Sequence, residues 1–295
     1  MLLNPADYTY QYFKQPRGTD GLSGPIHIAY PLKDGLCTIL VKDHSEQDAI
    51  NEFLGCNIGQ RIGVNTPRAW LFKSDNFPGN IGVNFSQAVG IEYFEGFDER
   101  HLGLYETEEK TIQTIKARIF RVLINDSDKA QLACWNGNIY TFDFAGGMYE
   151  EEYGHGFLDI SKYIPTKNGF TMYDNLILGH ERNSRSHLMD LFLELRASKV
   201  FRGAINIAYS QMRDAMMKIY AENRFEDLVL EIGKVFSDSA ARYAGALIDS
   251  TYNMIVDLPV REGEYYKTQD GTILVKEPAD EQLKAKIKER ANAKK

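Results

Sequence analysis

Ile124-Asn125-Asp126-Ser127-Asp128-Lys129-Ala130-Gln131, followed by Leu132 to Trp135, Asn136-Gly137, Asn138 to Phe142 and Asp143-Phe144-Ala145-Gly146-Gly147, is the stretch on which the reading of this chain turns. The Asn-Gly pair lies between two short apolar runs and favours a two-residue hairpin turn with positive φ at both central positions. Folding the chain back there carries three polar residues to one edge. These are Asp126, the amide of Gln131 five positions on, and Asp143, seventeen positions after Asp126. They would surround a space about the size of a phosphate group.

Upstream of this stretch, Glu108 to Leu123 has apolar residues at Ile112, Ile115, Ile119, Val122 and Leu123, the spacing of an amphipathic helix. Further back, Ile26 to Tyr30 and Leu36 to Lys42 read as two strands joined through Asp34-Gly35. Ser45 is a good N-cap, and Ile50, Leu54, Ile58 and Ile62 follow at helical spacing, with Ala49, Phe53 and Cys56 widening the stripe. Ala69 to Phe72 and Ala88 to Phe94 are further strand candidates. Downstream, Leu188 to Val200, Gly203 to Ala221, Phe225 to Phe236 and Ala240 to Val256 carry helical periodicity. A small hairpin over Glu264 to Lys276 and a basic helical tail from Asp280 to Lys295 close the chain. The first third is therefore expected to be mainly β with one helix, and the rest mainly helical.

The order of these elements resembles the HipA-like kinase family, relatives of the protein kinases and phosphatidylinositol kinases, over roughly residues 18 to 150. The resemblance implies an α+β, bilobal protein-kinase-like fold. Residues 1–96 would form a small nucleotide-binding N-lobe, 97–262 a mainly helical C-lobe with the catalytic and metal loops, and 263–295 the hairpin and basic tail. Phosphoryl transfer needs a carboxylate to orient the attacking hydroxyl and oxygen ligands to hold Mg2+ against the phosphates of ATP. On the family pattern Asp126 is the catalytic aspartate, Gln131 stands in the place of the metal-binding asparagine, and Asp143 is the main Mg2+ ligand. Asp128 competes with Asp126. Lys42, ending Ile39-Leu40-Val41-Lys42, is the phosphate-contacting lysine, with Glu52 as its ion-pair partner and Glu46 as the second choice. Gly18, Gly21, Ser23 and Gly24 form a flexible stretch that could approach phosphates closely. Val89 to Phe94, including Glu92 and Phe94, would be the hinge that holds adenine through backbone groups. Two residues depart from the pattern: Gln131 is one methylene longer than asparagine, and Ala145 replaces the glycine of Asp-Phe-Gly.

Composition narrows the alternatives. Of the 295 residues 43% are apolar and 25% charged, as in ordinary globular proteins, and a net charge of -7 argues against a nucleic-acid partner. Cys37, Cys56 and Cys134 have no zinc-ligand or disulfide spacing, and the six histidines form no metal-binding pair on a helix. Neither a secretory leader nor a membrane-length apolar run is visible, so a cytoplasmic location is the default expectation. The expected activity is transfer of the γ-phosphoryl group of ATP to a hydroxyl, foremost a protein serine or threonine. The alternatives are a small-molecule or lipid kinase, a nucleotide-binding pseudokinase acting as a regulatory module, and a helical interaction protein with an unrelated β domain.

Overall fold

The computed structural model describes residues 3–13, 26–72, 88–99, 101–124, 131–145, 204–257, 266–267 and 273–274. A short 3-10 turn, Pro5–Asp7, leads into β1 (Tyr8–Tyr12), β2 (Ile26–Pro31) and β3 (Ile39–Asp43). Then come α1 (Glu46–Arg61), β4 (Ala69–Phe72) and β5 (Ala88–Glu92). These five strands make one antiparallel sheet in the order β1-β2-β3-β5-β4. The arrangement is thus a mixed one, an antiparallel sheet with helices. β1 was absent from the sequence reading, which opened the sheet at Ile26.

Local chemistry explains where α1 begins. The Ser45 hydroxyl accepts a hydrogen bond from the Asp48 amide at 3.2 Å and donates to its carboxylate at 2.8 Å, which satisfies a helix-end donor that has no partner within the helix. Ten consecutive α1 positions, Ala49 to Ile58, include only Asn57 that is not buried. A helix apolar on all sides must be covered on all sides. The sheet covers one side of α1, and helices from later in the chain cover the other.

α2 (Glu108–Leu123) is followed by the hairpin β6 (Leu132–Trp135) and β7 (Asn138–Thr141), with Asn136 and Gly137 both at positive φ, 47° and 78°. The Asn-Gly turn therefore has the backbone that its sequence calls for. α3 (Ala204–Ala221) and α5 (Asp238–Asp257) pack on each other and on α2, and α4 (Glu226–Val235) packs on α5 and on β4. A two-residue ladder, β8 (Tyr266–Lys267) with β9 (Ile273–Leu274), falls within the expected hairpin. The expected helix over Leu188 to Val200 lies outside the described residues.

One continuous apolar core runs from α1 and the inner face of the sheet, through Ile115, Ile119, Phe120 and Phe144, to Met212, Met216, Ile232 and Leu247 of the later helices. A second cluster, with Leu3, Tyr8, Ile39, Val41 and Phe72, fills the outer face of the sheet. Because side chains alternate along β3, Ile39 and Val41 face that outer cluster while Leu40 and Lys42 face the α1 side. Lys42 is thereby directed towards the end of the β6–β7 hairpin. Among the described residues no helix is long and apolar enough to cross a membrane.

Candidate active site

The site is built on a lysine that the sheet buries. Lys42 pairs with Ile26 and Val89 on the neighbouring strands, and its Nζ lies 2.8 Å from Asp143 Oδ1 and 3.7 Å from Glu52 Oε1. Glu52, on the second turn of α1, is wholly buried. Its other oxygen, Oε2, accepts a hydrogen bond from the Phe144 amide at 2.7 Å. On the far side of Asp143, Gln131 Nε2 donates to Oδ2 at 2.7 Å. One carboxylate thus ties α1 to β3 and to the chain after β7, and a second joins β3 to the start of β6.

Four ionisable groups sit together, two acids and two bases: Lys42, Glu52, Asp143 and Arg121. Their formal charges balance, which eases the burial of such groups. Burial works against the Lys42 ammonium, but Glu52 and Asp143 outweigh it and raise its pKa. For Asp143, burial pushes upward; Lys42, the Gln131 amide and Arg121 override it and hold the carboxyl below its usual range. Glu52 is the most deeply desolvated of the acids, and burial raises its pKa against the pull of Lys42, the Phe144 amide and Arg121.

Arg121 and Gly55, which the sequence reading passed over, shape the loop that carries Asp143. Asp143 itself has φ of 67°, a left-handed conformation that is uncommon outside glycine, although aspartate is among the residues that tolerate it best. Arg121 is fully buried; its Nε donates to Thr141 Oγ1 at 2.8 Å, and Nη2 donates to the carbonyls of Phe142 and Asp143, the latter at 3.2 Å. Its guanidinium also lies 4.8 Å from the centre of the Phe144 ring. Thr114, Ala117 and Arg121 of α2, with Ile124 just beyond its end, recur at helical spacing and are all buried. An arginine that interrupts a buried stripe needs partners, and the loop carbonyls supply them. Gly55 lets Phe144 lie directly on α1, since a Cβ there would stand 2.6 Å from both Cβ and Cγ of Phe144.

The remaining sequence-predicted residues are distributed differently. Glu46 is exposed at the start of α1. Glu92 holds Arg68 in a two-pronged pair, with Nε at 3.0 Å and Nη2 at 2.8 Å, and Phe94 is packed against Phe97, Trp135 and Tyr140. Both side chains are engaged in these contacts, so a ligand at this end of β5 would meet backbone. Gly18, Gly21, Ser23, Gly24, Asp126 and Asp128 lie outside the described residues. The chain leaves β1 at Phe13 and re-enters at Ile26, the register partner of Lys42, so the glycine-bearing connection joins the sheet at the lysine's end. Likewise the connection that carries Asp126 ends at Gln131, already bonded to Asp143. Among the described residues no group of three or more His, Cys, Asp or Glu side chains is placed to hold a metal.

No protein-family model matches this sequence, and no curated protein sequence does. Among solved structures, the crystal structure of a Helicobacter pylori proinflammatory kinase, CtkA, aligns over 84% of this chain and 96% of its own at 12% identity, with a TM-score of 0.41. The likeness is a distant one.

Two measurements check this geometry. Replacing glycine by alanine inside a helix ordinarily stabilises by about 1 kcal/mol, but at Gly55 the new methyl would overlap the buried Phe144 ring, and overpacking costs about 1–3 kcal/mol. Gly55→Ala should therefore lower stability in urea denaturation; a more stable variant would show that Phe144 does not rest on α1. The second concerns His44, which is buried, with no hydrogen-bond partner for Nε2 among the described residues. Burial, with Lys42 nearby, lowers its pKa from 6.5 to about 4, against the weaker opposing pull of Asp48 and Asp143. The unfolded chain then binds a proton that the folded chain refuses between those two values, so stability falls as pH drops through that window and is level above it. His44→Gln should remove on the order of 2 kcal/mol of the loss between pH 7 and pH 4.5, read from urea midpoints; parallel pH profiles for both proteins would refute the burial of a neutral imidazole.

Proposed function

We propose that this chain is an ATP-dependent kinase that transfers the γ-phosphoryl group of ATP to a hydroxyl, with protein serine or threonine as the acceptor. The single observation that carries the reading is the buried Lys42, held on one side by Glu52 from α1 and facing on the other the partly exposed Asp143 at positive φ. A structural ion pair has no need of a strained backbone at the carboxylate, and strain of this kind concentrates at functional sites. A buried cation opposite a partly exposed carboxylate suits a polyphosphate and its divalent ion. In this reading 1–96 form the nucleotide-binding lobe, 97–262 the helical lobe and 263–295 an appended hairpin and tail, in a cytoplasmic protein.

Roles follow from the chemistry. Lys42 would balance the charge of the nucleotide phosphates, with Glu52 keeping it extended across the cleft. The connection after Phe13, with Gly18, Gly21, Ser23 and Gly24, would lie over the phosphates, and the backbone near Glu92 and Phe94 would meet the adenine. Asp143 and the amide oxygen of Gln131 are hard oxygen donors that fit Mg2+, an ion that takes few protein ligands and shares phosphate oxygens. Bound there, Mg2+ would neutralise charge on the phosphates during transfer. Asp126 would orient the acceptor hydroxyl: its oxygen attacks the γ-phosphorus, the bond to the β–γ bridging oxygen breaks and leaves ADP with the electron pair, and the hydroxyl proton passes to the Asp126 carboxylate.

A second reading has its own observation. Gln131 donates to Asp143 while Lys42 holds its other oxygen, so the carboxylate is occupied from both sides, and Ala145 replaces the usual glycine. A nucleotide-binding pseudokinase would keep such a self-satisfied site.

Asp143→Asn retains a residue that accepts positive φ and leaves Lys42 paired with Glu52, so the variant should fold with reduced stability and lose at least tenfold in Mg2+-dependent ATP affinity by calorimetry. Equal affinity would remove Asp143 from the metal site. Asp126→Asn should lower the single-turnover rate about 100-fold or more, with ATP affinity nearly unchanged, and Asp128→Asn should affect it far less. If Asp128→Asn is the inactive variant, the catalytic carboxylate lies two residues later than proposed. Mg2+-dependent ATP binding with no transfer from the wild type to protein, small-molecule or lipid hydroxyls would favour the pseudokinase.

A further inference from the structure

Helix α1 is held from behind. Near its start, Gln47 Nε2 donates to the Tyr243 hydroxyl of α5 at 3.1 Å, across 196 positions of sequence. At its end, Arg61 forms a two-pronged bridge to Asp227 of α4, with Nη1 at 2.8 Å and Nη2 at 2.6 Å, and also donates to the Arg224 carbonyl. The Arg61 guanidinium lies 5.7 Å from the centre of the Phe225 ring, and Arg61 holds the Asp227 carboxyl below its usual range. α4 and α5 pack on each other, so the two ties come from one rigid pair of helices.

Helix geometry gives these ties a direction. Gln47 and Arg61 are fourteen residues apart in the chain, which at 1.5 Å and 100° per residue sets them about 21 Å apart along the axis and within about 40° of one another around it. Glu52, on the same count, stands about 140° to 180° away from both. The ties therefore grip the back of α1 near its two ends, and the front presents Glu52 to Lys42 and the Phe144 amide. Core packing already surrounds α1; two ties on one face and far apart add a polar restraint on its rotation and on its position along the axis.

We propose that Asp227 and Tyr243 are positioning residues for the Lys42 site: through Arg61 and Gln47 they set the roll of α1 and thereby the reach of the Glu52 carboxylate. The proposal deepens the kinase reading, on which its catalytic consequence rests, but its structural content stands apart from it. The bridge is partly exposed to solvent, so its contribution to overall stability is small. Its effect is local, on where Glu52 stands.

The test reads the Phe144 amide, which donates to Glu52, by hydrogen exchange in the full-length chain without nucleotide. Asp227→Asn combined with Tyr243→Phe should speed exchange at Phe144 at least tenfold, while the sheet amides of Val41 and Val89 stay near their wild-type rates. Asp227→Glu, which keeps a carboxylate for Arg61, should stay close to wild type. Phe144 exchange that changes no more than that of Val89 overturns the proposal, as does equal acceleration at all three amides, which would mean general loosening. Where the wild type transfers phosphoryl groups, the double variant should also lose about tenfold in turnover. If the wild type transfers none, the kinase reading fails while the exchange result still decides the positioning role.

Discussion

The Glu52 carboxylate, buried without access to water, is the constraint around which the rest of the structure is arranged. An ion in that position requires a counter-charge and hydrogen-bond donors, and removing one partner of such a buried set costs roughly 3–5 kcal/mol. Lys42 supplies the charge from β3, and the Phe144 amide supplies a donor from the chain beyond β7. Three elements distant in sequence must therefore meet at one point. The central place of β3 in the sheet, the burial of α1 on all sides and the short hairpin that returns the chain to Asp143 are the means by which they do so.

Around that point the structure accepts local strain and close approach. Asp143 is kept at positive φ because Arg121 gathers the carbonyls of Phe142 and Asp143 while its guanidinium lies over Phe144. Phe144 can reach its place only because α1 has glycine at position 55. These contacts keep the Asp143 side chain partly open to solvent while its backbone is fixed, which is the combination a ligand-binding carboxylate needs.

Much of this was legible in the residues. The Asn-Gly turn, the Ser45 cap and the periodicity of Glu108 to Leu123 are local signals, and the hairpin, the start of α1 and the limits of α2 follow them. Lys42 and Glu52, singled out by their order along the chain, meet at 3.7 Å. Most of what escaped was decided by tertiary contact. Tyr8–Tyr12 alternates tyrosine with Thr9 and Gln11, a period-two strand pattern that the sequence reading passed over because only five residues carry it; Tyr8 is buried and Tyr10 packs on the outer cluster. Arg121 and Arg61 look like ordinary surface charges until the elements that receive them are in place. Glu92 and Phe94 were proposed for the hinge through their backbone groups; where their side chains go, to Arg68 and to an aromatic cluster, is set by pairing across 24 positions and by packing on the β6–β7 hairpin.

The Lys42–Asp143 contact at 2.8 Å is where the proposed nucleotide site is put to the test, because a lysine that received phosphates would release a carboxylate that received metal. The most direct measurement is a crystal structure of the full chain with a non-hydrolysable ATP analogue and Mg2+. The account predicts that the analogue lies between the sheet and the β6–β7 hairpin, with Lys42 Nζ moved from Asp143 to the phosphates, still paired with Glu52, and Asp143 on the metal. An analogue bound elsewhere, or bound with the Lys42–Asp143 pair intact and no metal at Asp143, would contradict it.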